Sequence, residues 1–485
     1  MNLPESIGIT LGELEEKFNT AVNSRQLMLQ PVHPEQQAAA RNLLHYLCLR
    51  SGDIRGLQDQ LHIYGLSSLA SSESHILSQL QAIRARLGKT YAPEELSDCT
   101  YEYSKKEMQE KSLRLFGLKK DVSIPYIMVT FDKSFGTDGE HIKNLLRSGM
   151  NVARINCAHD HKKEWKQMIA QIKQASEETG LSCKIYLDLA GPKIRTTIMG
   201  KGRRQDKATL KEGELIFLAE ENAGFARSVV VIGCTQEGIL NDLKPGERVL
   251  FDDGVIETVV EKAWIGMVAL RVLHIYKKKP TLKAGKGINF PDSQLSLPSL
   301  TKFDKDILPF ACENADILGY SFVRRPADIA QLQELMRNNG GKKPELVLKI
   351  ETPEAVKNLP ALLFQAMRQE LFGVMIARGD LAVEIGMERM SEIQEEILWI
   401  CEAAHVPVIW ATQVLENLHK TGMATRSEIT DAAHAVMAEC VMLNKGDYTI
   451  EVIETLRDVL YRSGGHHIKK RYTFRPLRIA ERFMG

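Results

Sequence analysis

The chain has 485 residues, of which 44% are hydrophobic and 26% are charged, and its formal net charge is +1. This length is enough for two or three domains, and the near-neutral charge excludes a chain-wide basic surface for nucleic acid or an anionic membrane. No apolar run approaches the roughly 18 residues that span a bilayer, and the acidic N-terminus lacks the apolar stretch of a signal peptide. Eight scattered cysteines favour a reducing, cytoplasmic location without a disulfide frame or zinc cluster.

Residues 1–118 are predicted to form a helical N-terminal domain. Within residues 74–88, Ile76 and Leu80 recur at helical spacing, and Gly88 is a helix stop. Two such helices joined by a short turn could read DNA, or they could form a small bundle for packing or dimerisation. The first 115 residues contain 12 Lys and Arg against 14 Asp and Glu, a slightly acidic balance that favours the bundle.

From residue 119 onward, short β-branched runs alternate with helix-like segments. Eight such units predict an α/β fold in which parallel strands close into a (β/α)8 TIM barrel. We assign residues 119–196 and 288–463 to this catalytic barrel. The predicted strands are 124–131, 151–156, 184–189, 317–322, 346–351, 373–378, 407–412 and 440–444.

One long gap between the predicted strands follows the third run and has strand signals of its own. The runs LIFLAE, SVVVIG and MVALRVL, with their Gly turns, predict a small β-barrel domain inserted at residues 197–287. An insertion at the C-terminal end of a barrel strand lies over the active-site face, where it can act as a lid. Residues 464–485 form a basic tail, either a solvated segment or a site for anions or a partner.

Two carboxylates and a lysine are predicted at neighbouring strand ends, where barrel enzymes place their catalytic groups. Lys349 and Glu351 are two residues apart and share one face of the fifth strand. Because lone buried charges are costly, they form either a structural ion pair or part of a site. Asp380 follows Gly379, which would let a ligand approach the backbone, after the sixth strand. Glu351 and Asp380 are a hard oxygen pair suited to Mg2+.

Basic and hydroxyl side chains are predicted at the same rim. Arg154 and Asn156 share a face of the second strand, and the planar fork of arginine suits a phosphate. Lys193 and Arg195 follow the third strand and add positive charge, unless they belong to an ordinary charged turn. Thr412 ends the seventh strand, where it could cap the next helix or present a hydroxyl for proton relay. A magnesium pair among cations fits phosphoryl-transfer or enolate chemistry.

A set of motifs follows in a fixed order along the predicted barrel. It includes SGMNVARINCAHD, LDLAGPKIRT, GKGINFPDSQLSLPSL, LKIETPEAV, VMIARGDLAVEIG and PVIWATQVLENL. Over roughly residues 123–461 the chain resembles the pyruvate kinase family. The resemblance implies a phosphotransferase that uses Mg2+ or Mn2+ to convert phosphoenolpyruvate and ADP into pyruvate and ATP. It also implies a lid domain at the position of the insertion.

The resemblance implies which residues handle phosphoenolpyruvate. Lys349 would neutralise charge on the transferring phosphoryl group and on the enolate. Arg154, Thr412 and the backbone of Gly379 would contact the substrate too, with Arg154 and Thr412 among the catalytic residues. Water would protonate the enolate near Thr412, and closure of the inserted domain would exclude water from the phosphoryl step.

The resemblance also implies metal and nucleotide positions. Glu351 and Asp380 would hold the divalent metal. Asn156, His159 and Arg195 would face the nucleotide or the transferred phosphate. These positions are at the ends of the second, third, fifth and sixth predicted strands, so they share one rim of the barrel.

The family binds a monovalent cation through an Asn, a Ser, an Asp and a following Thr. Asn156 and Asp188 match two of these positions, whereas Ala158 and Leu189 replace the Ser and the Thr. Lys193 stands where the family usually has a Glu. Its ammonium would take the place of the cation, so we expect no K+ requirement.

Two loops depart from the family on the nucleotide side. Residues 130–135, with Asp132, replace the family's Thr-Ile-Gly-Pro-Ala-Ser, and its Ser-Gly-Glu-Thr-Ala is missing before Lys445. Two alternatives therefore stay open: a metal-dependent 2-oxo acid lyase or decarboxylase on the same barrel, or a catalytically weak regulatory binding protein. The family's C-terminal effector domain has no counterpart after the barrel, so regulation by a fructose phosphate is not expected, and assembly into a homo-oligomer is left open.

Overall fold

The computed structural model describes residues 3–199, 207–221, 225, 229–279, 281–340 and 343–464, and the backbone of two short strands at His467–Ile468 and Arg471–Tyr472. Within these residues, eight parallel strands close into one barrel in chain order. A helical region precedes the barrel, and a separate sheet follows the third strand. This architecture confirms the predicted fold class. The predicted basic tail lies outside the described residues, apart from Gly464 and the two short strands.

The barrel strands are buried along almost their whole length. Parallel strands in a barrel are covered on both faces, so their sequences are apolar throughout rather than alternating. This explains why the β-branched runs located them. The strands are Tyr126–Phe131, Val152–Asn156, Lys184–Asp188, Ile317–Tyr320, Glu345–Ile350, Phe372–Ala377, Val408–Ala411 and Cys440–Leu443.

Several of the helices that follow the barrel strands begin at capping side chains and end at glycines or other local chain features. Asp138 accepts a hydrogen bond from the His141 amide at 3.0 Å and caps the first of them, which ends at Gly149 with a φ of 119°. A glycine adopts this left-handed conformation without the strain that a Cβ would add. The helices are Gly139–Ser148, Lys162–Thr179, Lys302–Asn314, Pro326–Asn338, Pro353–Lys357, Leu359–Ala366, Arg378–Ile385, Met390–Ala403, Glu416–Thr421, Arg426–His434 and Thr449–Gly464.

The N-terminal helices pack against the barrel. The predicted apolar face of the fifth helix is buried, with Ile76 and Leu80 both fully inaccessible. Asn42 donates a hydrogen bond to the Ala403 carbonyl of a barrel helix at 2.9 Å. The last helix ends in Phe116, which packs among side chains inside the barrel. The N-terminal helices are Leu3–Asn23, Gln26–Leu29, Gln37–Arg50, Arg55–Ile63, Ile76–Arg86 and Tyr101–Phe116.

The inserted domain has a core of its own. Its described strands form one seven-stranded sheet and one two-stranded ribbon. The insertion leaves the barrel after Asp188 and returns to it after Asn289, so two chain segments connect the domains. The strands are Thr196–Met199, Lys207–Thr209, Leu215–Ala219, Val231–Cys234, Arg248–Phe251, Ile256–Trp264, Met267–Ile275, Thr281–Lys283 and Ile288–Asn289.

Two features of the whole chain concern membrane spans and cysteines. In the part of the chain that the structure describes, no helix is both long enough and apolar enough to span a bilayer. All eight cysteines fall within the described ranges, and each is a free thiol.

Candidate active site

The C-terminal ends of the barrel strands surround a cavity of about 250 Å3. Asp253 of the inserted domain contributes to its wall, so the cavity lies between the two domains. Asp188 lies beneath the cavity and contacts Lys349, which is part of the cavity floor. The other residues to which the sequence assigned a catalytic, substrate, nucleotide or metal role, together with Lys193, line this one cavity. They are Arg154, Asn156, His159, Lys193, Arg195, Lys349, Glu351, Gly379, Asp380 and Thr412.

Lys349 is at the centre of a buried charge network on the cavity floor. Its Nζ lies 3.2 Å from Asp188 Oδ2 and 3.1 Å from Glu351 Oε1. It also donates a hydrogen bond to Ser321 Oγ at 2.7 Å. Arg154 donates through Nε to the same Asp188 oxygen at 3.0 Å. The Asp188 and Glu351 side chains are only 1% and 2% exposed, so these charges are stabilised by contacts with one another and not by water.

Burial opposes the ionisation of Lys349 and Asp188, but the paired charges around them outweigh it. Burial alone would lower the pKa of Lys349, yet Asp188 and Glu351 hold that pKa above its usual value. Burial alone would raise the pKa of Asp188, yet Lys349 and Arg154 hold it below its usual value. Both groups are therefore charged at neutral pH. The ammonium of Lys349 is a fixed positive charge at the floor of the cavity.

Glu351 and Asp380 are the carboxylates that could hold a divalent metal. The Phe322 amide donates to Glu351 Oε2 at 2.7 Å and fixes the side chain. Burial raises the pKa of Glu351 although Lys349 opposes the rise, and the negative charge of Asp380 adds to it. A bound cation would relieve this repulsion. Mg2+ takes one or two carboxylates together with water and substrate oxygens, and these two side chains would supply the carboxylates.

Lys193 lies on the metal side of the cavity. Its Nζ donates to Asp380 Oδ1 at 2.6 Å. Within the described residues it makes no hydrogen bond to Asn156 or Asp188, the positions beside which we expected it to replace a monovalent cation. The Asn156 side chain instead accepts a hydrogen bond from the Ala158 amide at 3.0 Å. The absence of a K+ requirement stays a prediction.

Thr412 is fixed by the start of a neighbouring helix. Its Oγ1 accepts a hydrogen bond from the Gly379 amide at 3.0 Å, in the first turn of Arg378–Ile385. A Cβ on Gly379 would lie 2.8 Å from this oxygen, so only glycine allows the approach. The helix after Thr412 begins at Glu416 and has Leu415 at its N-cap position, so Thr412 does not cap it. The cap interpretation is therefore wrong, and the hydroxyl lines the cavity.

Sequence reasoning missed two residues that position these groups. Arg378 donates to the carbonyls of Ala411 at 3.0 Å and Thr412 at 2.6 Å, and its guanidinium lies 4.4 Å from the Trp410 ring centroid. Its place directly before Gly379 was a usable signal, because an arginine at a covered strand end needs partners. Ser321 accepts from Lys349, but an uncharged serine gives no comparable signal in the sequence.

Positive charge gathers on the side of the cavity assigned to the nucleotide. Burial lowers the pKa of His159, and the nearby charges of Lys445 and Arg195 lower it further, so this imidazole is neutral at neutral pH. Arg195 donates to the Gly285 carbonyl at 3.1 Å. Lys445 lies 3.8 Å from Asp132, so the carboxylate that departs from the family pattern is paired with a cation.

Glu384 joins the inserted domain to the barrel. It lies one helical turn after Asp380 and accepts a hydrogen bond from Asn289 Nδ2 at 2.7 Å. Asn289 ends the last strand of the insertion. Burial raises the pKa of Glu384 to about 7, so this contact changes its charge near neutral pH.

The native chain is expected to lose stability as the pH rises from about 4.5 to about 7. The pKa of Glu384 is about 7 in the folded chain against an ordinary 4.5. Between these pH values the folded state holds a proton that the unfolded state has released, so each rise in pH lowers the free energy of unfolding. Above about pH 7 both states have released the proton, and the stabilisation is gone. A Glu384→Gln variant keeps the acceptor for Asn289 but cannot ionise. It should be more stable than the native chain at pH 8, by on the order of 2 kcal/mol, and close to it at about pH 4, below the ordinary pKa. Thermal unfolding at both pH values measures this, and identical curves at pH 8 would contradict it.

Comparisons with known proteins agree with this geometry. Residues 127–453 match the family model described as the pyruvate kinase barrel domain. A pyruvate kinase of Bacillus licheniformis is 33% identical over 331 residues, which are 67% of this chain and 54% of that protein. One of Staphylococcus saprophyticus is 34% identical over 327 residues, 66% of this chain and 54% of that protein.

A solved structure shows the same relationship. It is a pyruvate kinase of Cryptosporidium parvum, which superposes with a TM-score of 0.63 at 27% identity over 72% of each chain. The present chain spans about half the length of the curated relatives that it matches. Because the family model covers most of the barrel and these relatives are about one-third identical across it, the chain belongs to the pyruvate kinase family.

Proposed function

We propose that this chain transfers the phosphoryl group of phosphoenolpyruvate to ADP and releases pyruvate and ATP. The observation that supports this most directly is the buried ammonium of Lys349, held between Asp188 and Glu351 at the floor of the cavity. A fixed positive charge in a site shielded from water stabilises negative charge that develops during phosphoryl transfer. The proposed partners are thus phosphoenolpyruvate or pyruvate, and ADP or ATP.

The proposed substrate site uses the residues around Lys349. Arg154 would direct its remaining guanidinium donors towards the phosphate, since one edge of the fork is already bonded to Asp188. Glu351 and Asp380 would hold Mg2+ or Mn2+, whose charge offsets that of the substrate oxygens. Lys349 would face the bridging oxygen as the bond from phosphorus to the enol oxygen breaks and a bond to the terminal oxygen of ADP forms.

The proposed second step protonates the enolate. Loss of the phosphoryl group leaves an enolate whose methylene carbon takes a proton and becomes the methyl group of pyruvate. Thr412 lines the cavity, and its hydroxyl accepts from Gly379, which leaves its own proton free to orient a water molecule. We assign Thr412 to that role, with Gly379 as the backbone that fixes it.

The nucleotide side distinguishes this function from a second candidate. Asn156, His159 and Arg195 line the cavity and would receive the nucleotide phosphates. Asp132, however, adds a carboxylate there, and its pairing with Lys445 removes one cation from phosphate binding. This pair favours, as the alternative, a metal-dependent lyase or decarboxylase that acts on a 2-oxo acid and needs no nucleotide.

Pyruvate formation, followed through lactate dehydrogenase, tests the proposal. The full chain is mixed with phosphoenolpyruvate, ADP and Mg2+, with K+ and without it. We expect turnover that requires ADP and is unchanged by K+. No turnover with ADP, together with Mg2+-dependent cleavage of a 2-oxo acid, would replace the kinase with the lyase.

A further inference from the structure

Lys193 lies where both connections to the inserted domain meet the barrel. It belongs to the segment that leaves the third barrel strand after Asp188 and enters the insertion at Thr196. A Cβ built on Gly287, in the returning segment, would lie 3.4 Å from Cε of Lys193. The end of its aliphatic stem therefore lies against the returning segment.

The outgoing segment is itself held against the barrel. Gly191 has a φ of 65°, a conformation that favours glycine. A Cβ there would lie 2.7 Å from the Phe322 ring, so the backbone approaches the fourth strand end closely. This packing holds the backbone two residues before Lys193, whose ammonium reaches a partner on the barrel.

That partner is a carboxylate assigned to the metal. Lys193 Nζ donates to Asp380 Oδ1 at 2.6 Å, and the two side chains are 27% and 23% exposed. A metal ion at the usual distance of about 2.1 Å from the same oxygen would bring a divalent charge close to the ammonium. The two like charges therefore repel each other at this carboxylate, and each weakens the binding of the other.

We propose that Lys193 is a tethered cation that competes with the divalent metal for Asp380. The metal displaces the ammonium, and the displacement frees the segment that leads into the inserted domain. Lys193 is thus a positioning residue that couples metal binding to the domain connection. This inference rests on the proposed function in one respect, the assignment of Asp380 to the metal.

An ordinary surface ion pair is the competing explanation. Partly exposed pairs contribute little to stability and have no necessary effect on a neighbouring ligand. If Lys193 formed such a pair, removing it would leave metal affinity unchanged. If Lys193 instead supported the metal site, removing it would weaken the affinity. Only competition predicts tighter binding.

Titration of the full chain with Mn2+, followed by electron paramagnetic resonance without substrate, distinguishes these cases. A Lys193→Met variant keeps the stem and removes the ammonium, and we expect its Mn2+ dissociation constant to fall about tenfold. Lys286→Met is the matched control. It removes one positive charge from the returning segment, where Lys286 pairs with Asp252 at 2.7 Å, and should bind Mn2+ within twofold of the native chain.

Hydrogen exchange supplies a second readout. Saturating Mn2+ should change the amide exchange of residues 193–195 in the native chain and leave it unchanged in Lys193→Met. A dissociation constant that is equal or higher in Lys193→Met overturns the proposal, whatever the turnover. If the native chain and Lys193→Met both fail to bind Mn2+, the proposal is refuted together with the assignment of Asp380 to the metal. Tighter binding by Lys193→Met in a chain that makes no pyruvate supports competition and refutes only the kinase.

Discussion

A Lys349→Met variant should form pyruvate about 10^3-fold more slowly than the native chain while it still binds Mn2+. Lys349 supplies the buried positive charge between Asp188 and Glu351. Methionine fills a similar volume without a charge, so negative charge on the phosphoryl group and the enolate would go unbalanced. Glu351 and Asp380 remain in place to bind the metal. The lactate dehydrogenase assay gives the rate, and Mn2+ titration of the same preparation gives the affinity.

The loss of a buried partner also affects folding. Removing one member of a buried ion pair typically costs about 3–5 kcal/mol of stability, so the unfolding temperature of Lys349→Met should fall. Retained Mn2+ binding then shows that the site still forms. Lys357→Met is the matched control, because Lys357 ends the exposed side of helix Pro353–Lys357 and should leave the rate native. Near-normal turnover by Lys349→Met would refute its assigned role.

The barrel could be predicted closely because its strands are covered on both faces. The run predicted at 184–189 is the strand Lys184–Asp188, and the run predicted at 346–351 is Glu345–Ile350. Continuous apolar runs of strand length give this signal directly. The positions of Lys349 and Glu351 follow from it, since a residue at a strand end lies at the rim of a barrel.

The partners of these side chains could not be predicted in the same way. Lys193 is 187 residues from Asp380 in sequence, and their contact depends on how the connecting segment packs against Phe322. The hydrogen bond from Gly379 to Thr412 likewise depends on the register of two neighbouring strands. Sequence periodicity fixes which face a residue occupies, but not the distance between side chains on separate elements. The resemblance supplied roles for these residues, and the geometry supplied their contacts.

A Glu351→Gln variant should bind Mn2+ at least about tenfold more weakly than the native chain and lose pyruvate formation in parallel. Mg2+ and Mn2+ prefer charged oxygen ligands, and glutamine replaces one of the two carboxylates with a neutral amide. The amide oxygen can still accept from the Phe322 amide at the same position. The substitution therefore removes the negative charge of residue 351 and keeps the size and shape of its side chain. Mn2+ titration and the coupled assay measure the two effects.

Although Glu351→Gln should lose metal affinity and activity, its folding stability should not fall. Burial raises the pKa of Glu351 although Lys349 opposes the rise, and Asp380 adds to it, so the ionised carboxylate is on balance costly when no metal is bound. Lys349 differs because its partners hold its pKa above the usual value, so its charged form is favoured. Glu351→Gln should then unfold at or above the native temperature without metal, which separates loss of function from loss of fold. Glu354→Gln is the matched control, since Glu354 pairs with Arg325 at 2.7 Å away from the metal carboxylates, and it should keep native Mn2+ affinity. Unchanged affinity in Glu351→Gln would mean that the metal is held elsewhere and that Glu351 serves only as the counter-charge of Lys349.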